Sequence, residues 1–132
     1  MSETNVALHK AVVATSIGLS APPSAAVDGD TLRGWNSGAA PVQSITIDLD
    51  ASYTIVRIEL VVDQDPPGRT THHINGGSDL DNLTRLDTIE SDTTDGQTIE
   101  RIGPWLGIRW LQIVTEKSPS WVAWREIRAF SF

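Results

Sequence analysis

Hydrophobic and polar residues alternate in several short stretches of this chain. Between residues 43 and 49, Ile45, Ile47 and Leu49 fall on one side of an extended backbone, and Thr46 and Asp48 fall on the other. Successive side chains of a β-strand point to opposite faces, so this alternation predicts a strand with one buried face.

The stretch from 53 to 62 is the most apolar in the sequence. Its apolar side chains occupy both faces, with Val56, Ile58, Leu60 and Val62 on one and Tyr53, Ile55 and Val61 on the other. Apolar residues on both faces predict a central strand, covered from two sides.

Turn-forming residues separate further stretches with strand-like composition. These predicted strands cover residues 10–16, 70–78, 84–90, 97–102, 106–115 and 121–130. Gly103-Pro104 breaks the run between two of them, Asn75-Gly76-Gly77 predicts a bulge, and Asp95-Gly96 predicts a hairpin. Helical periodicity nowhere exceeds about one turn. About eight short strands predict an all-β antiparallel sandwich with its two terminal segments close together.

Length and composition fit this fold. The chain of 132 residues is long enough for one domain, covering residues 1–132, to bury a core without disulfides, and it contains no Cys. No apolar run approaches the roughly 20 residues of a membrane span, and no secretory signal pattern opens the chain. The residues alone leave the localisation open.

The charge balance limits the partners. The formal net charge is −7, with 10 basic and 17 acidic residues, and the only lysines are Lys10 and Lys117. Because such a surface repels nucleic acid and anionic lipid, and no basic cluster offsets it, we expect no nucleic-acid partner.

The sequence offers little for catalysis. There is no Cys nucleophile, and the only side chains that could act as a base near neutral pH are His9, His72 and His73. His72 and His73 are neighbours on a predicted strand, so they point to opposite faces and cannot converge on one substrate or zinc ion. The segment Asp79–Asn82 lacks the glycine and distal glutamate of a calcium loop, which favours a plain turn. We therefore expect no enzyme activity.

The segment from Ala25 to Trp35 is the most informative turn region. Asp28-Gly29 favours a tight bend, and the acid–glycine–acid run of Asp28, Gly29 and Asp30 also suits an oxygen-ligated cation. Trp35, seven residues after Asp28, is expected to fill the core. A simple turn remains the alternative to a cation loop.

Five segments in this order resemble the discoidin (coagulation factor 5/8 type C) superfamily, which includes the family 32 carbohydrate-binding modules. They are residues 5–16, Ile45–Leu49, Tyr53–Ile58, Ile108–Ile113 and Trp121–Phe130. The resemblance implies a jelly-roll sandwich of the galactose-binding-domain type and an extracellular location.

The resemblance also implies a structural calcium site where the Asp28 loop meets the last strand. Its side-chain ligands would be Asp28 and Glu126, and its carbonyl ligands would come from Ala25, Asp30 and Arg125. Relatives carry a hydroxyl residue where this chain has Arg33. A guanidinium is a good partner for two carboxylates, so we expect Arg33 to bridge Asp28 and Glu126 in place of the metal.

A ligand site is implied at the loops of one end of the sandwich. The resemblance assigns to it Asn36, Asp63, Gln64, Asp65, Arg69 and Trp121. Trp121 would offer an aromatic face to a sugar, while amides and carboxylates would bind its hydroxyls. The His and Arg of the common galactose-binding set are missing from their usual places. Among the other tryptophans, Trp35, Trp110 and Trp124 are expected in the core and Trp105 on the surface.

The resemblance implies a non-catalytic, lectin-like module that binds a glycan or glycoprotein. A protein–protein or cell-surface adhesion module of the same fold is the alternative, and it would need a broad apolar patch. An enzyme would need a deep pocket with strongly perturbed acids. The loop Asp63–Arg69 lacks the apolar spikes and basic residues with which some relatives enter membranes, so we expect no membrane insertion. The oligomeric state stays open.

Overall fold

A computed structural model describes residues 2–18 and 21–132. The chain is almost entirely antiparallel β-structure, as the alternating pattern predicted. The strands are β1 (Thr4–Asn5), β2 (Ala11–Ala14), β3 (Trp35–Asn36), β4 (Gln43–Val62), β5 (Gly68–Gly77), β6 (Thr84–Thr93), β7 (Thr98–Lys117) and β8 (Ala123–Ser131). Two short 3₁₀ helices cover Pro23–Val27 and Leu80–Asn82. No described helix has the length and apolar character needed to cross a membrane.

The sandwich is built around β4 and β7, each 20 residues long. In one layer, the first half of β4 pairs with β2 on one side and with the second half of β7 on the other. The second half of β7 also pairs with β5, and β6 pairs with β5 to complete this layer. In the other layer, the second half of β4 pairs with β8 and with the first half of β7. The short strands β1 and β3 both pair with β8. Thus β4 and β7 pass from one layer into the other. Because β1 pairs with β8, the two termini are adjacent, as predicted.

Each of these long strands was predicted as two shorter ones. Residues 43–49 and 53–62 form one strand, bent near Asp50, which has a φ of 71°. Residues 97–102 and 106–115 are likewise one strand that continues through Gly103-Pro104. The β4–β7 register shifts between Ile55 and Arg57. Since a bulge leaves a residue out of the ladder, Pro104 fits there without a backbone N–H to donate.

The hairpin predicted at Asp95-Gly96 is wrong, although the turn is present. Gly96 has a φ of 81°, and the Gln97 N–H donates to the Thr94 carbonyl. The flanking strands do not pair with each other, however, because β6 pairs with β5 and the start of β7 pairs with β4. The turn therefore links the two layers. The bulge predicted at Asn75 is confirmed by a register shift between Ile74 and Asn75.

The core lies between the layers and consists mainly of aliphatic side chains. Fully buried members include Ile45, Ile47, Leu49, Ile58, Leu60, Ile74, Leu111 and Ile127. Trp35 and Trp124 are also buried, as expected. Trp105 is partly buried against the core rather than exposed, and Trp110 is only half-buried, with the Arg109 guanidinium 5.2 Å from its ring.

Close packing at Gly34 holds the segment before β3 against β8. A Cβ atom at Gly34 would lie 2.0 Å from the carbonyl oxygen of Trp124 and 2.5 Å from the Cα of Arg125. This contact lets Trp35 pair with Trp124 and Asn36 with Ala123. It therefore fixes Asn36 beside the segment that precedes β8.

We expect Gly34→Ala to destabilise the fold much more than Gly107→Ala. Overpacking typically costs about 1–3 kcal/mol, and the backbone atoms 2.0 and 2.5 Å from the added Cβ place Gly34→Ala at the upper end of that range. At Gly107 the added Cβ would meet nothing within 4 Å, and the only penalty, about 1 kcal/mol, comes from its φ of 68°. Urea unfolding of both variants measures the difference. Equal midpoints would contradict the tight approach of β3 to β8.

Candidate functional site

Four segments meet at one end of the sandwich. The Gly18 N–H donates to the Asn36 carbonyl at 2.7 Å, and the Ser37 N–H donates to the Val122 carbonyl at 2.8 Å. The Asp65 N–H donates to Ser120 Oγ at 3.2 Å, which ties the loop after β4 to the loop before β8. These bonds make a rigid frame from loops that are far apart in sequence.

Trp121 projects from this frame into solvent. Its side chain is 60% exposed, whereas Val122, Ala123 and Trp124 directly after it are buried. The backbone of Val122 is held on both sides, by Ala39 and by Ser37. The fold therefore presents a large aromatic side chain from a fixed position, as predicted for Trp121.

Trp121 and Asn36 separate two shallow clefts. The first, of about 320 Å³, is polar and contains two carboxylates; it is lined by Asn36, Asp63, Asp65, Pro119, Ser120, Trp121 and Ala123. The second, of about 450 Å³, is more apolar and is lined by Ile17, Gly18, Ala21, Asn36, Gly38 and Trp121. Four predicted site residues, namely Asn36, Asp63, Asp65 and Trp121, thus lie together.

The polar groups of this site have free hydrogen-bonding capacity. Asn36 Oδ1 accepts from the Gly38 N–H at 2.8 Å, so its NH₂ group, which has no acceptor among the described residues, is left for a ligand. Asp63 is half-buried, and its pKa is raised mainly by this burial, while the Arg125 charge opposes the shift and Asp95 adds to it. Asp65 is exposed.

Gln64 and Arg69 have other positions. Gln64 is buried, with its amide group donating to the Pro66 carbonyl at 3.2 Å and accepting from Thr93 Oγ1 at 2.5 Å. It shapes the loop instead of facing either of the two clefts. Arg69 lies on β5 opposite Asp92 of β6 and lines neither cleft.

Beneath Trp121 lies a small cavity that the sequence did not predict. Its volume is about 10 Å³, and its lining includes Asp63, Gln64, His72, Trp121 and Trp124. The ring centroids of His72 and Trp124 lie 4.7 Å apart, and the two ring planes are tilted by 59° to each other. Neither His72 Nε2 nor Trp124 Nε1 has a hydrogen-bond partner among the described residues. No motif marks these residues, because only the packing of the two layers brings them together.

His72 and His73 point to opposite faces, as predicted. His72 Nδ1 is 2.8 Å from Thr115 Oγ1 in the interior, and burial lowers the His72 pKa to about 4, so the ring is neutral near pH 7. His73 instead contacts Thr88 and Glu116. The expected turn at Asp79 is also confirmed, since its side chain accepts from the Asp81 N–H.

The expected Arg33 bridge is wrong. Arg33 forms no ion pair with Asp28 or Glu126, and its side chain lies in an exposed part of the loop. Arg125 binds Asp95, with Nη2 2.7 Å from Oδ2, and donates to the Thr31 carbonyl. Asp28 and Asp30 instead accept from the backbone N–H groups of Asp30 and Leu32, at 2.9 and 2.8 Å.

Glu126 is consequently left without a cationic partner. Its side chain is fully buried, Oε2 accepts from the Gly29 N–H at 3.0 Å, and Oε1 has no partner. Burial raises the Glu126 pKa to about 7, and the Asp28 and Asp30 charges add to the increase. Within residues 2–18 and 21–132, no group of three or more acidic or His side chains is arranged around a metal position. An unpartnered carboxylate oxygen nevertheless has the chemistry that calcium prefers.

The family model of the NedA-like galactose-binding domain, a coagulation factor 5/8 type C family, matches residues 25–103. This match covers more than half of the chain, so the chain belongs to that family, as the order of its segments predicted. The matched region includes Asp28, Asn36 and the loop from Asp63 to Arg69, but not Trp121 or Glu126. No curated protein matches the chain.

Several solved structures share the fold. The family 32 carbohydrate-binding module of NanJ from C. perfringens, solved with galactose, has a TM-score of 0.82 at 16% identity and covers 98% of this chain and 100% of its own. Chitosan-binding module 1 of a chitosanase/glucanase from Paenibacillus sp. IK-5 has a TM-score of 0.80 at 23% identity, with 96% and 98% covered. The lectin domain of lectinolysin, solved with Lewis B antigen, scores 0.78 at 13% identity, with 98% and 97% covered. At these identities the likeness establishes the fold.

Proposed function

We propose that this protein is a non-catalytic glycan-binding module whose site is the pair of clefts beside Trp121. The observation that carries the proposal is the exposed Trp121 side chain, held between Asn36 and the Asp63–Asp65 loop. A sugar ring has an apolar CH face and a rim of hydroxyls. Trp121 suits the face, and the free amide and carboxylate groups suit the rim.

The comparisons support a glycan as the class of ligand. Modules of this fold were solved with galactose, with chitotriose and with a disaccharide of GlcNAc α-1,4-linked to galactose. The shallow form of both clefts suits one or two sugar units of a longer chain. A protein–protein or adhesion module of the same fold is the alternative, and it would bind a protein partner without binding any glycan.

Trp121→Ala is expected to weaken glycan binding by about 1–3 kcal/mol, because it removes the main stacking surface. The ligand is first selected on a glycan array, and affinity is then measured by isothermal titration calorimetry. Phe132→Ala is the matched control, since Phe132 is also an exposed aromatic residue, at 65%, and lines neither cleft.

Unchanged affinity in a folded Trp121→Ala protein would show that the site lies elsewhere. If the array shows no glycan bound and a protein partner is captured instead, the adhesion alternative replaces the proposal. Loss of affinity confined to Trp121→Ala, with Phe132→Ala unchanged, is the result that the proposed site requires.

We also propose that a structural calcium ion binds between the Asp28 loop and β8. Support comes from the unpartnered Oε1 of Glu126 and from the neighbouring Asp28, whose charge raises the Glu126 pKa. Carbonyls of Ala25, Asp30 and Arg125 would complete the oxygen ligands, as the family resemblance implies. The ion would neutralise a buried carboxylate and tie the loop to the last strand.

This calcium proposal predicts a specific pH dependence. In chelator, the folded protein holds the Glu126 proton up to about pH 7, whereas the unfolded chain releases it near 4.5. Stability contributed by the protonated form is therefore present below pH 4.5 and lost as pH rises through 7, by about 3 kcal/mol. Calcium at about 100 times its dissociation constant should restore about 2.7 kcal/mol above pH 7.

Thermal unfolding of the wild type and of Glu126→Gln, with calcium or with chelator, measures both effects. The Gln variant should lose the pH-dependent component and the response to calcium together. A wild-type melting temperature that is the same with calcium and with chelator at pH 8 would contradict the calcium site.

A further inference from the structure

We propose that a single buried water molecule binds beneath Trp121 and joins the two layers of the sandwich, accepting a hydrogen bond from Trp124 Nε1 and donating one to His72 Nε2. The inference goes beyond the glycan site and does not depend on it. It follows from two buried nitrogen atoms that need a partner and from a cavity beside them whose size and lining suit water.

The first observation is the pair of unpartnered ring nitrogens. His72 is 5% exposed and Trp124 is 1% exposed, yet His72 Nε2 and Trp124 Nε1 have no hydrogen-bond partner among the residues that the structure describes. Leaving a buried polar atom unpaired is costly, so the large majority of such atoms in folded proteins bond to protein or to ordered water. The two ring centroids lie 4.7 Å apart, which lets one small molecule reach both rings.

The second observation is the cavity that both side chains line. Its volume of about 10 Å³ is at the lower limit of the roughly 10–15 Å³ that one water molecule needs, and it leaves no room for a larger ligand. A buried water typically makes about three hydrogen bonds. The lining also contains the polar side chains of Asp63, Gln64 and Thr115, so further partners are close at hand.

The chemistry of the lining selects water over an ion. An indole N–H can only donate, so the molecule that binds Trp124 Nε1 must accept a hydrogen bond, which excludes a cation. An anion is disfavoured because the described lining includes the Asp63 carboxyl group and contains no Lys or Arg. Burial, followed by the His73 charge, lowers the His72 pKa to about 4, so His72 is neutral near pH 7 and supplies no positive charge.

The hydrogen bonds of this water determine the tautomer of His72. The water oxygen accepts from the Trp124 indole, and one water proton goes to His72 Nε2. His72 therefore carries its own proton on Nδ1 and donates it to Thr115 Oγ1, 2.8 Å away. Because His72 belongs to β5 and Trp124 to β8, these bonds cross between the layers at the end of the molecule that carries Trp121.

Nuclear magnetic resonance of the wild-type protein at pH 7 tests both parts of the inference. A rotating-frame Overhauser experiment should show contact between a long-lived water and the Trp124 indole N–H. Trp35 is the matched control, because its indole is also buried but donates to the Ser16 carbonyl at 2.9 Å, so it should show no such contact. A long-range proton–nitrogen correlation should place the His72 proton on Nδ1. Absence of the Trp124 contact, or a proton on Nε2, overturns the inference.

Two variants then separate the water bridge from the other hydrogen bond of His72. His72→Phe keeps a ring of similar size and removes Nε2, so the water contact at Trp124 should be lost. Thr115→Val removes only the partner of Nδ1, so the contact should persist. Persistence of the contact in His72→Phe, with the Trp35 indole signal unchanged, would show that the water does not bridge to His72 and would overturn the inference.

The wild-type measurements decide the question even if a variant fails to fold. No glycan is added in any of these experiments, so their failure leaves the proposed function standing. Conversely, unchanged glycan affinity in Trp121→Ala would remove the proposed glycan site and leave the water between His72 and Trp124 in place.

Discussion

The pairing of β4 with β7 is the interaction on which the rest of the structure depends. Its ladder runs from Gln43 opposite Thr115 to Val61 opposite Thr98 and contributes to both layers of the sandwich. Every other strand pairs with one of these two strands or with a strand that does. Bulges in the middle of the ladder let the two strands turn from one layer into the other without a break. The aliphatic core then fills the space between the two halves.

The same ladder determines where the candidate site forms. The end of β4 is beside the start of β8, with Val62 opposite Trp124, so the loop after β4 and the loop before β8 leave the sandwich together. Pairing of β3 with β8 adds Asn36 to this end. Val122, Ala123 and Trp124 are buried, so the chain enters the core directly after Trp121 and leaves the Trp121 side chain exposed at the surface. The site is therefore a consequence of strand register, and its acidic side comes from the loop that continues β4.

The hydrophobic pattern was enough to predict the sandwich, because the alternation over 43–49 and the apolar residues on both faces of 53–62 reflect burial directly. It missed the continuity of β7 through Pro104, since a bulge is set by the partner strand. At the site, Trp121 and Asp63 could be placed from the family resemblance. The unpartnered Nε2 of His72 and Nε1 of Trp124 could not be predicted, because they depend on contact between the layers. The expected Arg33 bridge failed for a related reason, since Asp28 and Asp30 accept from amides that follow them in the loop and the Arg33 side chain stays exposed.

The central claim is a glycan site at the Trp121 end of the sandwich. Its most direct test is a nuclear magnetic resonance titration, in which a glycan selected on the array is added to ¹⁵N-labelled protein. Shifts of the Trp121 indole N–H, the Asn36 side-chain amide and the Asp65 backbone amide, with little change elsewhere, are predicted. The groove formed by Val12, Val13 and Trp110 is an alternative apolar surface outside this end of the molecule. Shifts centred on Trp110, with Trp121 unchanged, would contradict the claim.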